Sequence, residues 1–172
     1  TDLRSLVARE GALRVSDAVD YVLQACEGLA EAHLEGIVHR DLKPQNLFLT
    51  RRPNGTAVIR VLDFGISKFG RALNLDELTQ SHILLGSPVF ASPEQLRDAS
   101  RVDERSDIWS LAVVLYMLVG GGRPFDGDGL PGLCLAITVD PPRPLSARCP
   151  EVPVGLEEVV FRCLEKSRER RP

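Results

Sequence analysis

The densest run of reactive side chains lies at His39-Arg40-Asp41-Leu42-Lys43-Pro44-Gln45-Asn46. It sets a carboxylate (Asp41), an ammonium (Lys43) and a carboxamide (Asn46) within one loop length. A second carboxylate, Asp63, follows after an apolar stretch and opens the tripeptide Asp63-Phe64-Gly65. Phosphoryl transfer asks for such a set: an acid to orient a hydroxyl, a cation near the γ-phosphate, and two oxygen ligands for Mg²⁺. Taken alone, Asp41 reads as a turn aspartate that caps local backbone. Lys43, Asn46 and Asp63 in register favour the chemical reading.

The elements around the run are placed to hold it. Ile37 and Val38 lead in. Leu47, Phe48 and Leu49 read as a strand, Pro53-Asn54-Gly55 as a turn, and Val58 to Leu62 as a returning strand. The hairpin then carries Asn46 at one end and Asp63 at the other. Strands about 4.7–4.9 Å apart would bring those side chains close enough to share a metal.

Upstream, Leu3, Leu6 and Val7 have helical spacing and Gly11 is a stop. Ser16 reads as the N-cap of a second helix, with Asp17 and Asp20 in its first turn. Its apolar stripe is expected at Val19, Val22, Leu23, Cys26, Leu29, Ala30, His33 and Leu34, ending at Gly36. His33 reads as a packed core histidine, since no second ligand sits one turn away.

Downstream, Gly65 to Gly86 is polar and aperiodic, the pattern of a long functional loop. The helix opened by Asp103-Glu104-Arg105-Ser106-Asp107 is apolar nearly all round to Gly120, so it belongs at the centre of a core and Asp107 is a buried acid. Leu130 to Val139 reads as a short helix, and Pro141-Pro142-Arg143-Pro144 as an extended loop. Leu156, Val159, Val160, Cys163 and Leu164 form a helical stripe. The basic residues Lys166, Arg168, Arg170 and Arg171 alternate with Glu165 and Glu169 and read as a solvated helix end.

Composition narrows the class. With 172 residues, 44% hydrophobic composition and a net charge of −3, the chain suits a globular domain and carries no nucleic-acid footprint. The run Ile108 to Val119 is too short to cross a bilayer comfortably, so no membrane segment is expected. Cys26, Cys134, Cys149 and Cys163 show no C-x-x-C pair and no zinc spacing. A reduced, cytoplasmic setting is the expectation, with Cys26 and Cys163 on apolar helix faces.

Together, H-R-D-L-K-P-Q-N, D-F-G, the segment end Ser92-Pro93-Glu94 and Asp107-Ile108-Trp109-Ser110-Leu111 resemble the eukaryotic-type (Hanks-type) serine/threonine protein kinases. The S-P-E-Q-L ending is similar to the bacterial branch. The resemblance implies a mainly α fold with a short β-hairpin, the C-terminal lobe of a kinase catalytic domain, spanning 1–172. It implies transfer of the ATP γ-phosphate to Ser or Thr hydroxyls of protein substrates, with Mg²⁺ (or Mn²⁺) as the metal. Asp41 would orient the hydroxyl, Lys43 would face the γ-phosphate, Asn46 and Asp63 would ligate the metal, and Phe48 would pack under the adenine. His39 and Phe64 would stack in a hydrophobic spine beside Gly65. Arg40 would answer a phosphate on the activation segment, with Thr79 or Ser81 as acceptor. Ser87 stands where the family usually has Thr. Asp107 would bond backbone near the catalytic loop, and Glu94 would pair with Arg171, or with Arg170 if the register is off by one.

The G-x-G-x-x-G loop, strand lysine and helix glutamate that cover ATP do not occur here, so the chain reads as a fragment inactive by itself. The rival reading is a non-catalytic, kinase-like interaction module. A small-molecule kinase is a third reading, disfavoured by the S-P-E and D-I-W-S-L pieces.

Overall fold

In a computed structural model of the chain, residues 1–64, 88–98, 100 and 102–172 are described. The fold is mainly helical with a two-stranded antiparallel sheet, as expected. Helix α1 spans Leu3–Glu10 and is capped by the Asp2 carboxylate, which accepts the Ser5 amide. Helix α2 spans Val15–Leu34. Strands β1 (Leu47–Arg51) and β2 (Ala57–Val61) pair with Leu47 opposite Val61 and Arg51 opposite Ala57.

Then follow α3 (Pro93–Arg97), α4 (Glu104–Gly120), α5 (Gly129–Val139) and α6 (Val154–Cys163). Helix α4 is the axis of the core. Trp109, Val113, Val114 and Tyr116 are fully buried along it, and it touches α2 on one side and α6 on another. Its end needs a left-handed residue, and Gly121 supplies φ +65° without a Cβ penalty.

Two local expectations are corrected. Helix α2 begins one residue before Ser16, with Arg14 as N-cap and no side-chain cap bond, so Ser16 is an exposed helical residue. Its buried stripe is Ala18, Val22, Ala25 and Leu29, while Leu23 and Leu34 face solvent and Cys26 is exposed. The alanines decide this phase. They let α2 lie close to α4 and β2, near enough that a Cβ on Gly28 would reach Val61 at 3.8 Å. On α6, likewise, Val160 is buried but Val159 faces solvent.

The basic C-terminal cluster is also not a uniformly solvated end. Arg171 is buried, and Lys166 lies with its Nζ 3.8 Å from the centre of the Phe125 ring, which stacks on Trp109. That Nζ also donates to the carbonyls of Ala136 and Ile137 at the end of α5. Burial, assisted by the Arg171 and Arg97 charges, pulls the Lys166 ammonium down to about 8. Among the described residues, no helix is long and apolar enough to cross a membrane.

Candidate active site

The loop from His39 to Asn46 is held from below by α4. Asp107, 1% exposed, sits in that helix's first turn. Its Oδ2 accepts the His39 amide at 2.8 Å and its Oδ1 accepts the Arg40 amide at 2.9 Å. His33 Nε2, from α2, lies 2.8 Å from the same Oδ2. One buried carboxylate therefore joins α2, α4 and the loop. His33→Ala should leave that carboxylate short of a partner and lower stability by about 1–3 kcal/mol, read from denaturant unfolding. An unchanged midpoint would mean that the two amides suffice.

The His39 ring is fixed as well. Its Nε2 lies 2.9 Å from the Leu62 carbonyl, and its Nδ1 accepts the Asp41 amide at 3.3 Å. Both bonds are met by one tautomer, with the proton on Nε2. The Phe64 ring lies tilted against it at 42°, with centroids 4.8 Å apart, so the two spine candidates touch.

The reactive side chains converge above this base. Lys43 Nζ donates to Asp41 Oδ2 at 2.9 Å. Asn46, 5% exposed, donates from Nδ2 to the Asp41 carbonyl at 2.9 Å, which leaves its Oδ1 as the oxygen donor of that side chain. The Leu62 amide donates to the Asn46 carbonyl at 2.9 Å, so the ladder sets Asp63 one residue beyond Asn46 across the strands. Phe48 is 37% exposed and shares the outward face of the hairpin with Leu62. Arg40 and Asp63 both have positive φ, +65° and +56°. Such backbone costs about 1–3 kcal/mol each and collects at functional sites.

Glu94 and Arg171 meet across 77 residues of sequence in a two-bond pair, Nη1 to Oε1 at 2.7 Å and Nη2 to Oε2 at 2.9 Å. Arg170 is exposed and outside the pair. Ser106 adds a third bond to the carboxylate at 2.6 Å. Burial would raise the Glu94 carboxyl, but the Arg171 and Ser106 bonds outweigh it and hold the group at about 2. Gly65, Thr79, Ser81 and Ser87, also expected to contribute, lie outside the described residues.

The sequence profile of the protein kinase domain matches residues 1–172. The chain belongs to the protein kinase family. Among its relatives, this kinase-family chain is 40% identical over 161 residues to serine/threonine-protein kinase Pkn1 of Myxococcus xanthus, covering 92% of the chain and 22% of Pkn1. It is 36% identical over 169 residues to PknB of Mycobacterium tuberculosis, covering 98% of the chain and 26% of PknB. The chain thus spans about a quarter of the length of these relatives. The crystal structure of Rad53 1–466 in complex with AMP-PNP superimposes with a TM-score of 0.77 at 20% identity, over 99% of this chain and 40% of that one. That likeness establishes a protein-kinase-like fold.

Reading the sequence alone missed three contributors. His33 was legible only as a core histidine, and Lys166 only as a surface charge. Gln95 carried a signal, because Ser92-Pro93-Glu94-Gln95 fits the Ser-x-x-Gln capping pattern.

Proposed function

We propose that the protein of which this chain is part is a Mg²⁺- and ATP-dependent serine/threonine protein kinase, and that residues 1–172 are the C-terminal lobe of its catalytic domain. The observation that carries the reading is the convergence of Asp41, Lys43 and Asn46 on one clamped loop, with Asp63 set beside Asn46 by the hairpin ladder. A docking module has no physical need for that set.

The donor chemistry fits the metal. Asn46 and Asp63 offer hard oxygens, and among the described residues no cluster of three His, Cys, Asp or Glu side chains forms an all-protein cage. Mg²⁺ is commonly held by one or two protein oxygens, with phosphate oxygens and water completing its shell. When bound, Mg²⁺ and ATP supply the charge neutralisation and the transferable phosphoryl group.

The chain's own residues do the positioning. Asp41 would accept a hydrogen bond from the substrate hydroxyl and aim its oxygen at the γ-phosphorus, taking the proton as the new oxygen–phosphorus bond forms and the bond from the γ-phosphorus to the departing ADP oxygen breaks. Lys43 keeps Asp41 oriented and lends a point charge to the phosphoryl oxygens. Phe48 offers an apolar floor for the adenine. Lys43 in D-L-K-P-Q-N supports Ser/Thr rather than Tyr as acceptor, in line with the relatives' names.

Incubating the full-length protein with γ-labelled ATP and a generic protein acceptor tests this. Label should appear on serine and threonine, stop when Mg²⁺ is chelated, and resume when Mg²⁺ is restored. Absence of transfer by an intact, folded protein would leave the interaction-module reading in its place.

A further inference from the structure

Gln95 is the N3 residue of the short helix α3, where it closes a capping box: its Oε1 accepts the Ser92 amide at 2.9 Å and the Ser92 hydroxyl at 3.2 Å. A glutamate would close the same box. Gln95 does something a glutamate cannot, because its Nε2 donates to the Arg40 carbonyl at 2.8 Å. The two ends of the carboxamide cannot be exchanged, since the Ser92 amide is a donor only and the Arg40 carbonyl an acceptor only.

The peptide so held is the one that sets Asp41. Its carbonyl, from Arg40, is bonded by Gln95, and its N–H, from Asp41, is bonded by His39 Nδ1 at 3.3 Å. The preceding N–H, of Arg40, is bonded by Asp107. Arg40 carries φ +65° at this point, a conformation that a non-glycine residue rarely adopts unless its surroundings hold it. Helix α3 is itself anchored, because Glu94, the neighbour of Gln95, is locked to buried Arg171.

We infer that Gln95 is a positioning residue that ties the Ser92-Pro93-Glu94 end of the activation segment to the Asp41 peptide, so that the orientation of Asp41 depends on how α3 is seated. The inference rests on the kinase reading for its effect on turnover, but the tie itself is independent of activity.

Gln95→Glu in the full-length protein separates the two roles. It keeps the capping box and sets a carboxylate oxygen against the Arg40 carbonyl. Positioning predicts a melting temperature lowered by only about a few degrees, the scale of one lost hydrogen bond, an unchanged KM for ATP, and a kcat lower by about ten- to a hundredfold, the scale of a misplaced catalytic group. It also predicts amide hydrogen exchange at Arg40 and Asp41 faster by roughly fivefold, the scale of one lost hydrogen bond. Gln95→Met, which lacks both polar ends, should show the same losses together with a larger drop in melting temperature, because the cap is lost as well. A Gln95→Glu protein with wild-type kcat and wild-type exchange would overturn the inference and leave Gln95 a helix cap. Should the wild type transfer no phosphate, the kinase reading falls, and the exchange measurement still decides the tie.

Discussion

In the full-length protein, Asp63→Ala should leave no measurable phosphate transfer, whereas Asp41→Asn should slow transfer by about 10²–10⁴-fold. The two losses differ because the two carboxylates would do different work. Asp63 would supply an oxygen to a metal that has few protein ligands to spare, so its loss removes the charge that neutralises the phosphates. Asp41 would orient and deprotonate a hydroxyl, and asparagine keeps its size and its contact with Lys43's neighbourhood while giving up the charge. Initial rates at saturating Mg²⁺ and ATP read both. Full turnover by the Asp41 variant would remove that residue from the mechanism. Full turnover by the Asp63 variant would move the metal elsewhere.

Arg171→Ala should cost about 3–5 kcal/mol, because it strands a carboxylate rather than deleting a pair. The Arg171 side chain is 0% exposed and that of Glu94 12%, and the guanidinium also bonds the carbonyls of Glu165, Arg105 and Lys166. Equilibrium unfolding of the variant checks the figure, and an unchanged midpoint would refute it. The same pair gives a pH dependence of known sign. The folded-state carboxyl of Glu94 lies at about 2, below its ordinary 4.5. Its stabilisation is therefore complete above about pH 4.5 and is lost as pH falls toward 2, a contribution on the order of 3 kcal/mol. Wild-type stability should fall across that window more steeply than that of Glu94→Gln.

What the sequence made legible followed from how local each signal is. The loop from His39 to Asn46 is contiguous, and the hairpin's turn is spelled by Pro53-Asn54-Gly55, so their placement needed no tertiary knowledge. Helix α4 announced its depth by having no polar face. The Glu94–Arg171 contact was reachable only through the family resemblance, since nothing in either residue's neighbourhood points across such a distance. The phase of α2 was misjudged for a physical reason: Ala18 and Ala25 contribute little hydrophobicity, yet their small size is what lets the helix approach. The bonds of His33 to Asp107 and of Gln95 to Arg40 arise where separate elements meet, and a one-dimensional pattern carries no trace of such meetings.

The hairpin that carries Asn46 and Asp63 is bordered on both sides. On the β1 side, the Leu49 amide and carbonyl exchange bonds with Thr1 at 2.7 and 3.0 Å. On the β2 side, the Gln24 carboxamide imitates a third strand, taking the Ile59 amide at 2.9 Å and reaching the Ala57 carbonyl at 3.5 Å. An isolated two-stranded ribbon is marginal in water, and its open edges invite strands from other chains. Here the Gln24 side chain and Thr1 occupy those edges. Strand exchange with another chain at this hairpin would first have to break those bonds, so the Asn46–Asp63 corner is guarded by contacts that lie within residues 1–64.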